Sequence, residues 1–129
     1  MMRSRIEGSF VALVTPFNRD GTVDMGAFRT LIEFQREHGT RAILFMGSTG
    51  ESSLLSPEEK REIIVQTAKM KPSGMDFFYG CTGNNTAATI ANLRFAKDNG
   101  ADGAIPAAPS YICAPPADLV EFFLEVADA

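Results

Sequence analysis

Residues 45–53 read FMGSTGESS, an apolar run that gives way to Gly47, Ser48, Thr49 and Gly50, then Glu51 and Ser52. Flanking glycines let a backbone come close to a ligand, and consecutive N–H groups at a strand end can cradle an anion. The Ser48 and Thr49 hydroxyls would add donors for a carboxylate or phosphate. The same residues also suit a plain turn between a strand and a helix, where small side chains avoid clashes. Local sequence leaves both readings open. Neither glycine-rich nucleotide pattern, G-x-x-x-x-G-K-[ST] or G-x-G-x-x-G, is present.

Other reactive side chains are few. Glu51 could act as a general base, or make the structural hydrogen bonds common in a turn before a helix. Tyr111 is the one tyrosine in a strand-end loop; a phenol relays a proton if a partner holds it, and otherwise packs. His38, the only histidine, falls in the last turn of a predicted helix, where a cation complements the helix dipole. Cys81 and Cys113 follow adjacent predicted strands and could lie near one another. Without further Cys or His they make no zinc set and read as small buried thiols. The lysines are Lys60, Lys69, Lys71 and Lys97, all on helical stretches rich in charge. A Schiff-base lysine needs a desolvated pocket that lowers its pKa, and none of these has that setting. No metal or other cofactor is expected.

The elements that would hold these residues alternate along the chain. Apolar runs at 9–15, 42–46, 76–80 and 103–107 read as strands buried on both faces, the last weakened by Pro106. Asp24 can cap a helix whose apolar face includes Met25, Phe28, Leu31 and Ile32 and which ends at Gly39. Ser56, Pro57 and Glu59 form a capping box with proline at the first helical position, opening a helix expected to reach Lys71. A third helix spans about Thr86 to Asn99, closed by Gly100. A fourth starts near Pro116, with Leu119, Phe122, Phe123 and Val126 at i, i+3, i+4 and i+7. The loops at the carboxyl ends of the strands hold Thr15, Ser48, Thr49, Glu51, Ser52, Cys81, Thr82, Asn84, Asn85, Ser110, Tyr111 and Cys113, and such loops are where parallel α/β proteins build sites.

Four βα units with apolar strands point to parallel pairing with right-handed crossovers. An internal echo supports repetition: FMGSTG from Phe45 recurs as FYGCTG from Phe78. The architectures compatible with this are a (β/α)₈ barrel and an open doubly wound sheet. A barrel takes about 250 residues, so 129 residues would be half of one, and the open sheet fits the length better.

Bulk properties narrow the function. The chain is 45% hydrophobic with net charge −4, and its 12 basic residues are scattered rather than gathered in the stripe that nucleic acid requires. No apolar run approaches the roughly 20 residues of a membrane span. The first apolar run follows Arg3 and Arg5 but is cut by Pro16 and lacks a small-residue cleavage site. It reads as a strand rather than a signal peptide, and two cysteines make no disulfide framework, so a cytoplasmic protein is expected.

In order along the chain stand VALVTPF (11–17), GSTGES (47–52), LLSPEEKREII (54–64), GNNTAATI (83–90), GADGA (100–104) and APSY (108–111). Together they resemble the N-terminal half of the dihydrodipicolinate synthase / N-acetylneuraminate lyase family of pyruvate-dependent class I aldolases, over nearly the whole chain from Gly8. The resemblance implies a (β/α)₈ TIM barrel, here its first four βα units as a half-barrel, in a homo-oligomer that is usually a tetramer. It implies a small 2-oxo acid such as pyruvate as ligand, bound as a Schiff base to a strand-six lysine. Carried over by position, Gly47, Ser48 and Thr49 would bind the keto-acid carboxylate. Thr49 would also join a proton relay with two tyrosines, one of them Tyr111, lent across a subunit interface. Two departures stand out: Ser110-Tyr111 replaces the usual Tyr-Tyr pair, and "ICAPP" follows it. Residues 1–129 contain neither the strand-six lysine nor the second tyrosine, so these residues alone are expected to be inactive. Condensation and retro-aldol cleavage are both compatible with the motifs. The alternatives are a non-catalytic half-barrel that binds a carboxylate or only self-associates, and an open flavodoxin-like binding domain.

Overall fold

A computed structural model of the chain describes residues 7–129; Arg3 and Arg5 lie outside the described residues. The order is β1 (Phe10–Ala12), α1 (Met25–Glu37), β2 (Ala42–Phe45), a 3₁₀ turn (Ser52–Leu54), α2 (Pro57–Ala68), β3 (Asp76–Gly80), α3 (Thr86–Asp98), β4 (Gly103–Ile105) and α4 (Pro116–Asp128).

The first three helices start at the residues whose side chains can cap them. Asp24 Oδ1 accepts from Ala27 N at 2.9 Å, and Asn85 Oδ1 accepts from Ala88 N at 2.8 Å. At α2 both halves of the capping box are made: Glu59 N donates to Ser56 Oγ at 3.1 Å and Ser56 N donates to Glu59 Oε2 at 2.8 Å. Helices α1 and α3 close alike. Gly39 and Gly100 sit at φ +77° and +90°, and the next residues, Thr40 and Ala101, donate back to Gln35 O and Ala96 O.

Strands β1, β2 and β4 and helix α2 stop short of the sequence expectation, each for a local reason. Strand β2 ends because Met46 takes a left-handed φ of +56°, so β1 loses its partner beyond Leu13 N, which donates to Leu44 O at 2.9 Å. Strand β4 ends before Pro106, which has no N–H to give. Helix α2 ends at Ala68 rather than Lys71. Its last turn tightens, Met70 N donating to Thr67 O at 2.8 Å, and Pro72 disfavours helical backbone at the residue before it.

The strands form one parallel sheet in the order β1-β2-β3-β4. A doubly wound sheet reverses its strand order at a switch point. This one does not, so its winding is that of a (β/α)₈ barrel over four units. Ile43, Phe45, Phe77 and Tyr79 face the helices and pack on Phe28, Ile32, Ile63 and Ile64. The Phe45 ring lies 5.8 Å from Phe28, 4.8 Å from Phe77 and 5.3 Å from Tyr79. The alternate residues point the other way, and there Phe10, Val14 and Ile105 remain 40%, 48% and 47% exposed. That is the face a barrel turns inward.

One polar pair crosses the core. Thr67 Oγ1 donates to Ile63 O at 2.6 Å, which uses its only proton, so the Tyr79 hydroxyl 2.9 Å away must be the donor to Thr67. Burial pushes the Tyr79 phenol up to about 12. Among the described residues no helix is long and apolar enough to cross a membrane.

Candidate functional site

The stretch 46–55 is a compact loop bracketed by two non-glycine residues in left-handed conformation, Met46 at φ +56° and Glu51 at φ +55°. Its carbonyls are turned inward and used. Ser52 N donates to Gly47 O at 3.3 Å, Glu51 N to Ser48 O at 3.1 Å, and Leu54 N to Glu51 O at 2.9 Å. Its donors are not. Among the described residues no acceptor takes the N–H or the hydroxyl of Ser48 or Thr49, and both residues are exposed. Exposed N–H and hydroxyl groups with no acceptor of their own suit an anion.

The backbone around the loop is packed too tightly for side chains. A Cβ on Gly80 would lie 2.0 Å from Met46 O, and one on Gly50 would lie 3.0 Å from Met46 N and 3.1 Å from Leu13 O. Gly80 therefore lets β3 pass flush under the left-handed turn that ends β2. Thr15 closes the third side: its buried hydroxyl donates to Gly50 O at 2.6 Å, across 35 residues. In the sequence Thr15 stood out only as one of many strand-end residues, although a hydroxyl ending the run VALV was a visible signal.

Beyond this loop the anticipated residues separate. Thr82 Oγ1 accepts from Ala107 N at 2.8 Å, tying the loop after β3 to the loop after β4. Tyr111 lies in that second loop at φ +70°, 103% exposed, and no hydrogen bond joins it to Thr49 within one chain. Glu51 makes no side-chain hydrogen bond among the described residues, so the structural role open to it in the sequence is not seen. His38 caps α1 with Nδ1 2.8 Å from Phe34 O, its ring stacked on Phe34 at 4.1 Å. It lies at the other end of α1 from the loop.

The cysteines need a correction. Both are free thiols, but only Cys81 is buried; Cys113 is exposed, because no element covers the loop after β4. Burial pushes the Cys81 thiol up to about 12, so it is neutral at physiological pH. Among the lysines, Lys69 and Lys97 are exposed, and Lys71 Nζ pairs with Asp102 at 2.9 Å. Half-buried Lys60 lines a hollow of about 360 Å³ between α2 and α3, together with Asn84 and Asn92. Ser48 and Thr49 do not line that hollow and lie on open surface. Among the described residues there is no group of three or more metal-ligating side chains.

Residues 5–129 match the model of the dihydrodipicolinate synthetase family. The 4-hydroxy-tetrahydrodipicolinate synthase of Psychrobacter arcticus is 37% identical over 99% of the chain and 42% of its own length. The crystal structure of dihydrodipicolinate synthase from Aquifex aeolicus superposes with a TM-score of 0.87 at 40% identity, over 95% of this chain and 42% of that one. A dihydrodipicolinate synthase from Acinetobacter baumannii, solved complexed with pyruvate, gives a TM-score of 0.92 at 35% identity, over 97% and 43%. The chain thus spans about two-fifths of the length of the relatives it matches. Family model, relatives and fold agree: this chain belongs to the dihydrodipicolinate synthetase family, and its sheet is half of that family's barrel.

Proposed function

We propose that the chain supplies the carboxylate-binding part of the active site, and one relay tyrosine, of a pyruvate-dependent Schiff-base lyase of dihydrodipicolinate synthase type. The observation that carries this reading is the loop Gly47–Gly50, whose carbonyls at Gly47, Ser48 and Gly50 are all occupied while the Ser48 and Thr49 donors are free. The Acinetobacter relative's complex with pyruvate is the comparison that supports the ligand class. In this reading Ser48 and Thr49 hold the keto-acid carboxylate through N–H and hydroxyl groups. That fixes the keto carbon for attack by an amine and keeps charge away from the reacting end. The Thr49 hydroxyl then passes a proton to Tyr111 of a neighbouring copy, which fits a tyrosine fully exposed in its own chain. The lysine that attacks the keto carbon comes from outside residues 7–129, since none of Lys60, Lys69, Lys71 and Lys97 lies on a strand or in a strand-end loop.

A second reading is a half-barrel that binds a carboxylate without chemistry or only self-associates. The uncovered sheet face bearing Phe10, Val14 and Ile105 favours it. Two measurements on the 129-residue chain separate the readings. Titration with pyruvate, followed by amide NMR, should move the Ser48 and Thr49 signals; silence at both sinks the carboxylate cradle. Borohydride reduction with labelled pyruvate should leave all four lysines unmodified; a stable adduct on any of them refutes an external nucleophile.

A further inference from the structure

Thr15 is a polar residue where the pattern calls for an apolar one. It ends the run VALV, is 5% exposed, and its hydroxyl has one partner, the carbonyl of Gly50 on the far side of the loop. Buried hydroxyls are placed where a specific acceptor needs them. The acceptor is itself buried: Gly50 packs against Leu13 O and Met46 N so closely that a Cβ there would meet both at about 3 Å. The bond therefore sits where the ends of β1 and β2 meet the returning loop.

The loop it fastens does not hold its shape by local preference. Met46 and Glu51 carry side chains in left-handed backbone that such residues rarely adopt, and they flank the four residues of the cradle. Conformations of that kind persist only when the surroundings fix them. Gly80 fixes one end, lying flush beneath the Met46 carbonyl. At the other end, Glu51 follows directly on the residue Thr15 grips.

We infer that Thr15 is a positioning residue for the cradle: by donating to Gly50 O it pins the loop in the form that leaves the Ser48 and Thr49 donors free for a carboxylate. This rests on the carboxylate-binding reading proposed above. Thr15 is buried and does not itself meet the ligand, so its effect passes through the loop.

The test compares wild type, Thr15→Val and Thr15→Ser in the 129-residue chain. Valine keeps the shape and deletes the hydroxyl; serine keeps the hydroxyl and deletes the methyl. Pyruvate is titrated against amide signals of the loop, and hydrogen exchange is read at Glu51, Ser52 and core amides such as Phe77. Thr15→Val should weaken pyruvate binding about tenfold and speed exchange at Glu51 and Ser52 while leaving Phe77 unchanged, and Thr15→Ser should restore both. Wild-type binding in Thr15→Val overturns the inference, and so does a serine variant as weak as the valine one. If Thr15→Val does not fold, Thr15→Ala takes its place against Thr15→Ser, with the same two outcomes. A wild-type chain that shows no pyruvate shift overturns the carboxylate reading itself. The exchange measurement then still decides whether Thr15 braces the loop.

Discussion

The loop after β2 and the loop after β4 leave the same edge of one sheet, and the chain holds them in opposite ways. The first is tied by Thr15, by its own carbonyls, and by close contact between Gly80 and Met46. The second has, among the described residues, one hydrogen bond to the rest of the fold near its start, Ala107 N donating to Thr82 Oγ1, and beyond it Tyr111, Ile112 and Cys113 stand in solvent. The geometry of the first loop is completed within the chain, as a loop that discriminates between small ligands would require. The contrast separates a loop fixed within the chain from one left free of it.

The sharpest way to break this contrast is to push the braced side apart. In Gly80→Ala the new methyl would lie 2.0 Å from Met46 O, a backbone atom that cannot step aside without moving the end of β2. Overpacking against backbone should cost about 3 kcal/mol, read as a lower denaturation midpoint in urea. A loss under about 0.5 kcal/mol would mean the strand ends yield easily, and the loop is not braced.

The two cysteines report on the same contrast without mutation. Cys113 should react at once with a thiol reagent at pH 8. Cys81, buried and with its pKa pushed up to about 12, should react on the order of a hundredfold more slowly and speed up on denaturation. Equal rates would erase the difference between the regions. The same burial sets an alkaline limit. The unfolded thiol and phenol give up protons near 9.0 and 10.0, whereas Cys81 and Tyr79 hold theirs to about 12. Both folded values are raised, so their contribution is intact below pH 9 and is lost as pH climbs from there toward 12. The unfolding free energy should fall with a slope of up to about 1.4 kcal/mol per pH unit for each group. Cys81→Ala and Tyr79→Phe should each flatten that slope.

What the sequence made legible follows the range of the forces involved. Ser56, Pro57 and Glu59 announce α2 because capping is settled within four residues, and Gly39 and Gly100 announce helix ends for the same reason. Strand ends were read too long because they depend on a neighbour: β1 stops where Met46 turns β2 away. Gly47, Ser48 and Thr49 stand out in the sequence as a motif. The bond that shapes them does not, since Thr15 and Gly50 are 35 residues apart. The exposure of Cys113 was out of reach, because it depends on what packs over a loop rather than on the loop's residues. Whether the sheet was open or barrel-wound hung on strand order, which length alone argued the wrong way.

The smallest expected effect bears on the free side. Tyr111 holds a left-handed φ of +70° with its side chain fully in solvent. A residue with a Cβ pays about 1–2 kcal/mol for that backbone relative to its usual region, and glycine does not. Glycine in turn brings about 0.5–1 kcal/mol of extra chain entropy to the unfolded state. The net for Tyr111→Gly in the 129-residue chain is a gain of about 0.5 kcal/mol, read as a higher urea midpoint at unchanged slope. Tyr111→Phe should leave the midpoint where it is, since no hydrogen bond to the phenol is lost within the chain. If the glycine variant is instead less stable, Tyr111 packs within its own chain, and the case for a tyrosine presented to a neighbouring copy weakens accordingly. A gain would mean the chain keeps a tyrosine at a position where its own fold prefers glycine, which is what a side chain presented to a neighbouring copy would show.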